Sequence, residues 1–177
     1  MADLSINTFK ANFLGGARPS LYSVEMTFPA AVQNSALAAK KLQFLCKIAA
    51  IPGSTTGTIE LPYMSRKIPI PGDKTFQPIS LTILNDTDWA VRQAFEEWTT
   101  VINTHETNIG AVKLTDMTTD FHIHQLNRDG STIKSYKLVT AFPTELSEIS
   151  LGYENNDQIE EWTCTITYSY WQTESIF

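Results

Sequence analysis

The chain has 177 residues, 42% hydrophobic and 18% charged, with a formal net charge of −6 at pH 7. That length and balance predict one domain over 1–177 with a proper core, and exclude a chain too polar to fold. They also argue against a nucleic-acid-binding face, which needs clustered Lys and Arg on a basic chain.

The first stretch, MADLSINTFKANFLGG (1–16), carries Asp3 and no sustained apolar run, so it reads as neither a secretory signal nor a mitochondrial presequence. A flexible arm is expected there. Gly15 and Gly16 lack the lysine motif and the strand-to-helix setting of a phosphate loop. No apolar run approaches the roughly 18 residues that would span a bilayer, so a soluble protein without a membrane anchor is expected.

Alternation of apolar and polar residues, rich in β-branched and aromatic types, then predicts strands at Leu21–Phe28, Leu42–Ile51, Thr58–Ile70, Thr75–Leu84, Phe121–Leu126, Thr132–Phe142 and Gln158–Trp171. Between the first two, the small residues of 30–40 read as an insertion loop. Asn127–Ser131 (NRDGS) supplies the Asp-Gly of a tight hairpin turn. Only one segment has helical period: Val91, Phe95, Trp98 and Ile102 fall on one stripe, with Asp86 or Thr87 as the expected cap. Residues 104–119 read as a polar loop. The predicted fold is mainly β, an antiparallel β-sandwich or barrel with one flanking α-helix.

Side chains that could carry chemistry are sparse. His122 and His124 share one face of a strand and could grip a metal, but no third ligand stands at a suggestive spacing. His105 has only Glu106 beside it. Glu96 and Glu97 are adjacent on a helix, where neighbours diverge by about 100°, so they cannot share a substrate. Cys46 and Cys164 lie in apolar surroundings and read as buried thiols, with a disulfide as the alternative. No catalytic, cofactor or metal residues are assigned.

Charge is unevenly spread. Lys40, Lys41, Lys47, Arg66, Lys67 and Lys74 outweigh Glu60 and Asp73 over 40–74, whereas 138–177 holds acids and no Lys or Arg. Pro62, Pro69, Pro71 and Pro78 mark where sheet pairing must stop or bend. Long strands with free edges invite pairing with another chain.

Beyond pattern, ARPSLYSVEM, FLCKIAAIP, PYMSRKIPIPGDKTF with LTILNDTDWAVRQAFEEW, and ENNDQIEEWTCTITYSYW, in that order and spacing, resemble the tail tube proteins of contractile-tailed bacteriophages of the T4-like kind. Phe44–Trp98 is the most specific block; 1–16, 30–40 and the terminal QTESIF match poorly. The resemblance implies a non-catalytic structural subunit without cofactor. It forms hexameric rings with a shared β-barrel as inner wall, stacked into a hollow tube. The implied partners are further copies of the chain, the tail sheath, baseplate and tail terminator proteins, and DNA that passes through the lumen without specific binding. The implied location is the virion, after assembly in the host cytoplasm.

Six subunits giving four strands each would close a barrel with a lumen of about 38 Å, wide enough for duplex DNA. Part of the excess acid is expected to line it. The stretch around Arg66 is expected to be a hairpin reaching a neighbouring subunit or ring. Its cations Arg66, Lys67 and Lys74 would meet acids of the adjoining subunit, and Met64, Asp73, Glu154, Asp157, Glu160 and Glu161 complete the expected subunit and ring contacts. The nearest alternative is the tube of a phage-derived contractile injection system delivering effectors. Further off stand a carbohydrate-binding β-sandwich and a His122/His124 metal hydrolase.

Overall fold

The computed structural model describes residues 5–13, 15–33 and 35–174. In chain order these form α1 (Ile6–Asn12), β1 (Tyr22–Met26), α2 (Ser35–Leu45), β2 (Cys46–Ile48), β3 (Ser54–Tyr63), β4 (Arg66–Phe76), β5 (Ile79–Leu84), α3 (Ala90–Ile102), α4 (Leu114–Met117), β6 (Thr119–Leu126), β7 (Thr132–Leu146), β8 (Glu161–Thr167) and β9 (Tyr170–Glu174).

Seven strands form one antiparallel sheet in the order β1-β6-β7-β8-β5-β2, with β9 also on β7; β3 and β4 pair only with each other. β7 bends this sheet over its own core. Its first half, Ser135–Val139, pairs with β9, and its second half, Phe142–Leu146, pairs with β8. The change falls at Thr140, whose φ of 59° lies in the left-handed region. β8 and β9 change sheets alongside it across Tyr168 and Ser169. The single strand expected over Gln158–Trp171 is therefore two.

Alternate positions point inward, as a period of two requires. Val24 and Met26 of β1, Phe121 and Ile123 of β6, Leu81 and Ile83 of β5, and Trp162, Cys164 and Ile166 of β8 are all buried. α3 closes the core with Val91, Ala94, Phe95 and Trp98. Phe28 meets Phe95 and Trp98 edge-on at 5.2 and 5.8 Å, and Phe95 meets Trp162 edge-on at 5.4 Å.

The two tryptophans differ in their polar ends. Trp98 Nε1 donates to Met117 O at 2.6 Å, which ties α4 to α3, whereas Trp162 Nε1 is buried without a hydrogen-bond partner among the described residues. Trp98→Phe removes a bond and leaves a carbonyl unpaired; Trp162→Phe removes an N–H that had nothing to lose. The first is expected to be the more destabilising by about 1–2 kcal/mol in parallel urea melts. Equal costs would count against this account.

A single helix was expected, and the structure has more. Ser35–Leu45 is a helix where an insertion loop (30–40) and the start of a strand (Leu42–Ile51) were predicted; only Cys46–Ile48 of that strand pairs, with β5. The composition explains it, since Ala, Leu, Lys and Gln are strong helix formers, and Ala38 and Leu42, four apart, are the two residues α2 buries. Leu42 and Cys46 suit a strand and a helix alike, because positions four apart share a face in both. In the stretch expected as a flexible arm, Ser5 Oγ caps α1 by accepting from Thr8 N at 3.2 Å; Met1–Leu4 and Leu14 lie outside the described residues.

α3 starts at Ala90 after Trp89, a left-handed residue with φ 56° and no side-chain capping bond, so neither Asp86 nor Thr87 is its cap. Asp86 and Asp88 instead hold Lys41 Nζ of α2 between them, at 2.7 Å for Asp86, locking the two helices together. Hydrogen bonds from Lys41 hold both carboxyls below the usual range, and the same bonds raise Lys41.

Candidate assembly interface

β3 and β4 form a two-stranded ribbon roughly 30 Å long at the usual rise per residue, and nearly every residue in it is exposed. Its turn, Met64 and Ser65, has φ of 43° and 64°, the left-handed pair that a two-residue hairpin needs, here without glycine. Prolines at 62, 69 and 71 fit because both strands are edges, where a missing N–H can face solvent. Near the base the strands shift register at Gly57, opposite Gly72. A Cβ on Gly72 would lie 3.2 Å from Ile59 Cγ1 and 3.3 Å from Gly57, so the close crossing depends on both glycines.

The base is held firmly. Trp171 Nε1 donates to Gly53 O at 3.1 Å, Tyr168 OH to Gln77 O at 2.8 Å, and Lys74 Nζ stands 5.7 Å from both the Phe76 and Trp171 ring centres. The tip stands away from the core.

Register sorts the ribbon into two unlike faces. Ile59 pairs with Ile70, Leu61 with Ile68 and Tyr63 with Arg66, so five apolar side chains and one guanidinium share one face. Those apolar side chains are 41–59% exposed. The other face carries Thr58, Glu60, Pro62, Lys67, Pro69 and Pro71, where Lys67 Nζ lies 2.5 Å from Glu60 Oε2. An unpartnered apolar stripe on an anchored ribbon is a surface built to be covered.

The structure separates the charged residues singled out from the sequence. Lys67 and Lys74 are engaged within their own chain, as just described. So are Glu161, 2.5 Å from Lys47, and Glu160, which accepts from Asn85 Nδ2 at 3.0 Å. Arg66, Asp73, Glu154 and Asp157 are exposed and form no salt bridge among the described residues, and Met64 at the tip is 81% exposed. Glu154 and Asp157 sit in the loop between β7 and β8, which also exposes Leu151, Tyr153 and Ile159. The pairing of apolar with acidic residues in that loop matches the ribbon's apolar and cationic face. Sequence reading found the charges and a hairpin around Arg66 but missed the apolar stripe, although the alternation Ile59-x-Leu61-x-Tyr63 was its signal; Thr58–Ile70 was expected as one strand, whereas the chain turns back at Met64 and Ser65.

His122 and His124 lie on the solvent side of β6 with ring centres 6.0 Å apart, and His124 Nδ1 is 2.7 Å from Ser135 Oγ. Among the described residues no three of His, Cys, Asp and Glu converge as metal ligands. Cys46 and Cys164 are free and buried, and burial pushes both thiols up to about 12.

The sequence profile of the phage tail tube protein family matches residues 17–174. The chain belongs to the phage tail tube protein family. It is 27% identical over 157 residues to the tail tube protein gp19 of Enterobacteria phage T4, covering 88% of this chain and 91% of that one. It is 24% identical over 170 residues to the tail tube protein of Serratia phage KSP90, covering 93% and 94%. In fold it resembles a chain from the sheath-tube complex of the extracellular contractile injection system PVC, with a TM-score of 0.61 at 14% identity over 97% and 99% of the two chains. It also resembles a chain of the anti-feeding prophage tube-terminating cap, with a TM-score of 0.66 at 17% identity over 91% and 92%. The family is structural, and its place is the phage tail.

Proposed function

We propose that this chain is the subunit of a hollow phage tail tube, in which six copies close into a ring and rings stack into a conduit through which DNA is ejected into the host. It catalyses nothing and needs no cofactor. Sheath, baseplate and tail terminator proteins are its neighbours in the tail, and assembly takes place in the host cytoplasm. One observation carries this reading: the anchored β3–β4 ribbon, whose apolar face is left uncovered by the described residues of the chain.

In the assembly that face lies on a neighbouring copy or ring, with Met64 at its tip. Arg66, on the same face, meets Glu154 and Asp157 of the neighbour's loop, which sets register more than strength. Lys67, Lys74, Glu160 and Glu161 serve a different purpose: they shape the ribbon and the loop within each subunit. The prolines hold the ribbon in its bound shape beforehand and so lower the ordering cost on association.

Electron microscopy of the purified protein, with sedimentation over a range of concentrations, tests this. Rings or tubes are expected. A monomer that persists at high concentration, alone or with tail proteins, would falsify the proposal.

A further inference from the structure

The sheet formed by β2, β5, β8 and the second half of β7 has a solvent face of unusual uniformity. Ser80 and Thr82 of β5 stand directly opposite Thr165 and Thr163 of β8. Thr167 continues the row along β8, and its Oγ1 donates to Thr144 Oγ1 at 3.4 Å; Thr144 Oγ1 donates in turn to Thr165 O at 3.2 Å. Half-buried Leu84 and Phe142 lie at its two ends, paired with Glu161 and Thr167. Charge is confined to Glu145, opposite Thr165, and to the Lys47–Glu161 pair.

The other solvent face, on β1, β6, β9 and the first half of β7, is of another kind. It bears Glu25, His122, His124 and the Lys137–Asp120 pair. α2 rises beside it, so that Lys40 and Gln43 share a crevice with Glu25 and His122. A wall repeated around an axis with that shoulder would be both rough and charged.

We infer that in the assembled tube the hydroxyl face of Ser80, Thr82, Thr144, Thr163, Thr165 and Thr167 lines the bore through which the DNA passes. This rests on the tube reading and adds to it which surface faces the axis. Hydroxyls hydrate well and carry no charge, so a passing phosphate meets no cation able to displace its counterions. Lys47, the one cation on this face among the described residues, is held by Glu161. In the chain the β3–β4 ribbon stands between β2 and β5 of this sheet, as a separate two-stranded sheet. On this assignment the acid expected in the bore is Glu145 and the paired Glu161, while Glu148, Glu154, Asp157 and Glu160 lie on the loop between β7 and β8.

Cysteine labelling of preformed tubes tests the assignment, and the buried, protonated native thiols keep the background low. With Ser80→Cys, a maleimide-gold cluster narrower than the bore is expected along the tube axis; with His122→Cys, along the outside. Thr165→Cys, at the register partner of Ser80, gives the same readout if Ser80→Cys does not assemble. Gold on the outside with Ser80→Cys or Thr165→Cys, or on the axis with His122→Cys, overturns the inference. Failure of the unsubstituted protein to form tubes is seen before labelling and falls on the tube reading instead. For the occupant, Thr163→Lys tubes are expected to retain short duplex DNA at low salt and release it as salt rises, while unsubstituted tubes retain at least tenfold less. Equal retention would sink the non-adhesive wall.

Discussion

Leu61→Asp combined with Ile68→Asp is expected to yield a folded monomer that no longer forms rings or tubes. The two residues are register partners on the apolar face of the ribbon and take no part in the buried core. Folding therefore loses almost nothing, and the melting curve of the double variant is expected to overlay that of the parent. Assembly loses two apolar anchors, each already about half covered in the monomer, so that burying the remainder contributes about half of the 1.5–3 kcal/mol of full burial, and must also desolvate two carboxylates. Even the lower sum, about 1.5 kcal/mol before the carboxylates are counted, is on the order of tenfold in each association constant, and a tube multiplies that loss at every contact. Sedimentation and electron microscopy read the result; tubes of ordinary length would show that the apolar face is not the contact. Arg66→Glu with Lys67→Glu is the milder comparison. Lys67 has a partner in Glu60 of its own ribbon, so most of the effect comes from Arg66, and it is expected to shrink as salt screens it.

Particular residues show how much of this was legible in the sequence. Where one face of a segment is buried and the other wet, the period is clean. Ile79, Leu81 and Ile83 alternate inward as predicted, as do Trp162, Cys164 and Ile166, and the stripe on α3 is the stripe that packs. The NRDGS turn also forms as expected, with Asn127 N donating to Ser131 O at 2.8 Å and Gly130 at φ 82°. Local chemistry decides such features.

The misreadings share a different cause. β7 alternates before and after Thr140, yet nothing local announces that its two halves serve different sheets. α2 was hidden because a spacing of four is common to both periods. The ribbon was the largest gap in the candidate site: Ile59, Leu61 and Tyr63 alternate as a core strand does, and alternation tells which residues share a face without telling what covers it. Only the structure places the ribbon beyond the core, with its apolar face left uncovered by the described residues. Likewise the charges of Lys67, Lys74, Glu160 and Glu161 were visible at once, but their partners were set by register and by the return of the chain near Trp171 and Asn85.

Phe95→Ala is expected to have the opposite signature to the ribbon variant, because it strikes the fold and leaves the contact surface unchanged. Phe95 is fully buried between Phe28, Trp98 and Trp162. A cavity there cannot readily collapse. α3 is fixed at its start by Lys41 with Asp86 and Asp88, along its length by Arg92 Nη1 donating to Ser147 O at 3.0 Å, and near its end by Trp98 with Met117. The cost is therefore expected in the usual range for such a truncation, about 3–5 kcal/mol, a large share of a typical domain's about 5–15 kcal/mol. Urea titration of the dissociated protein should show a lower midpoint at unchanged slope. Assembly stabilises the folded state by mass action, so raising the protein concentration should partly rescue tube formation by Phe95→Ala. The ribbon variant offers the neighbour no such surface and should gain far less from concentration. A cost below about 1 kcal/mol for Phe95→Ala would mean that α3 is not the keystone of this core, and equal rescue of the two variants would mean that the ribbon acts through folding rather than contact.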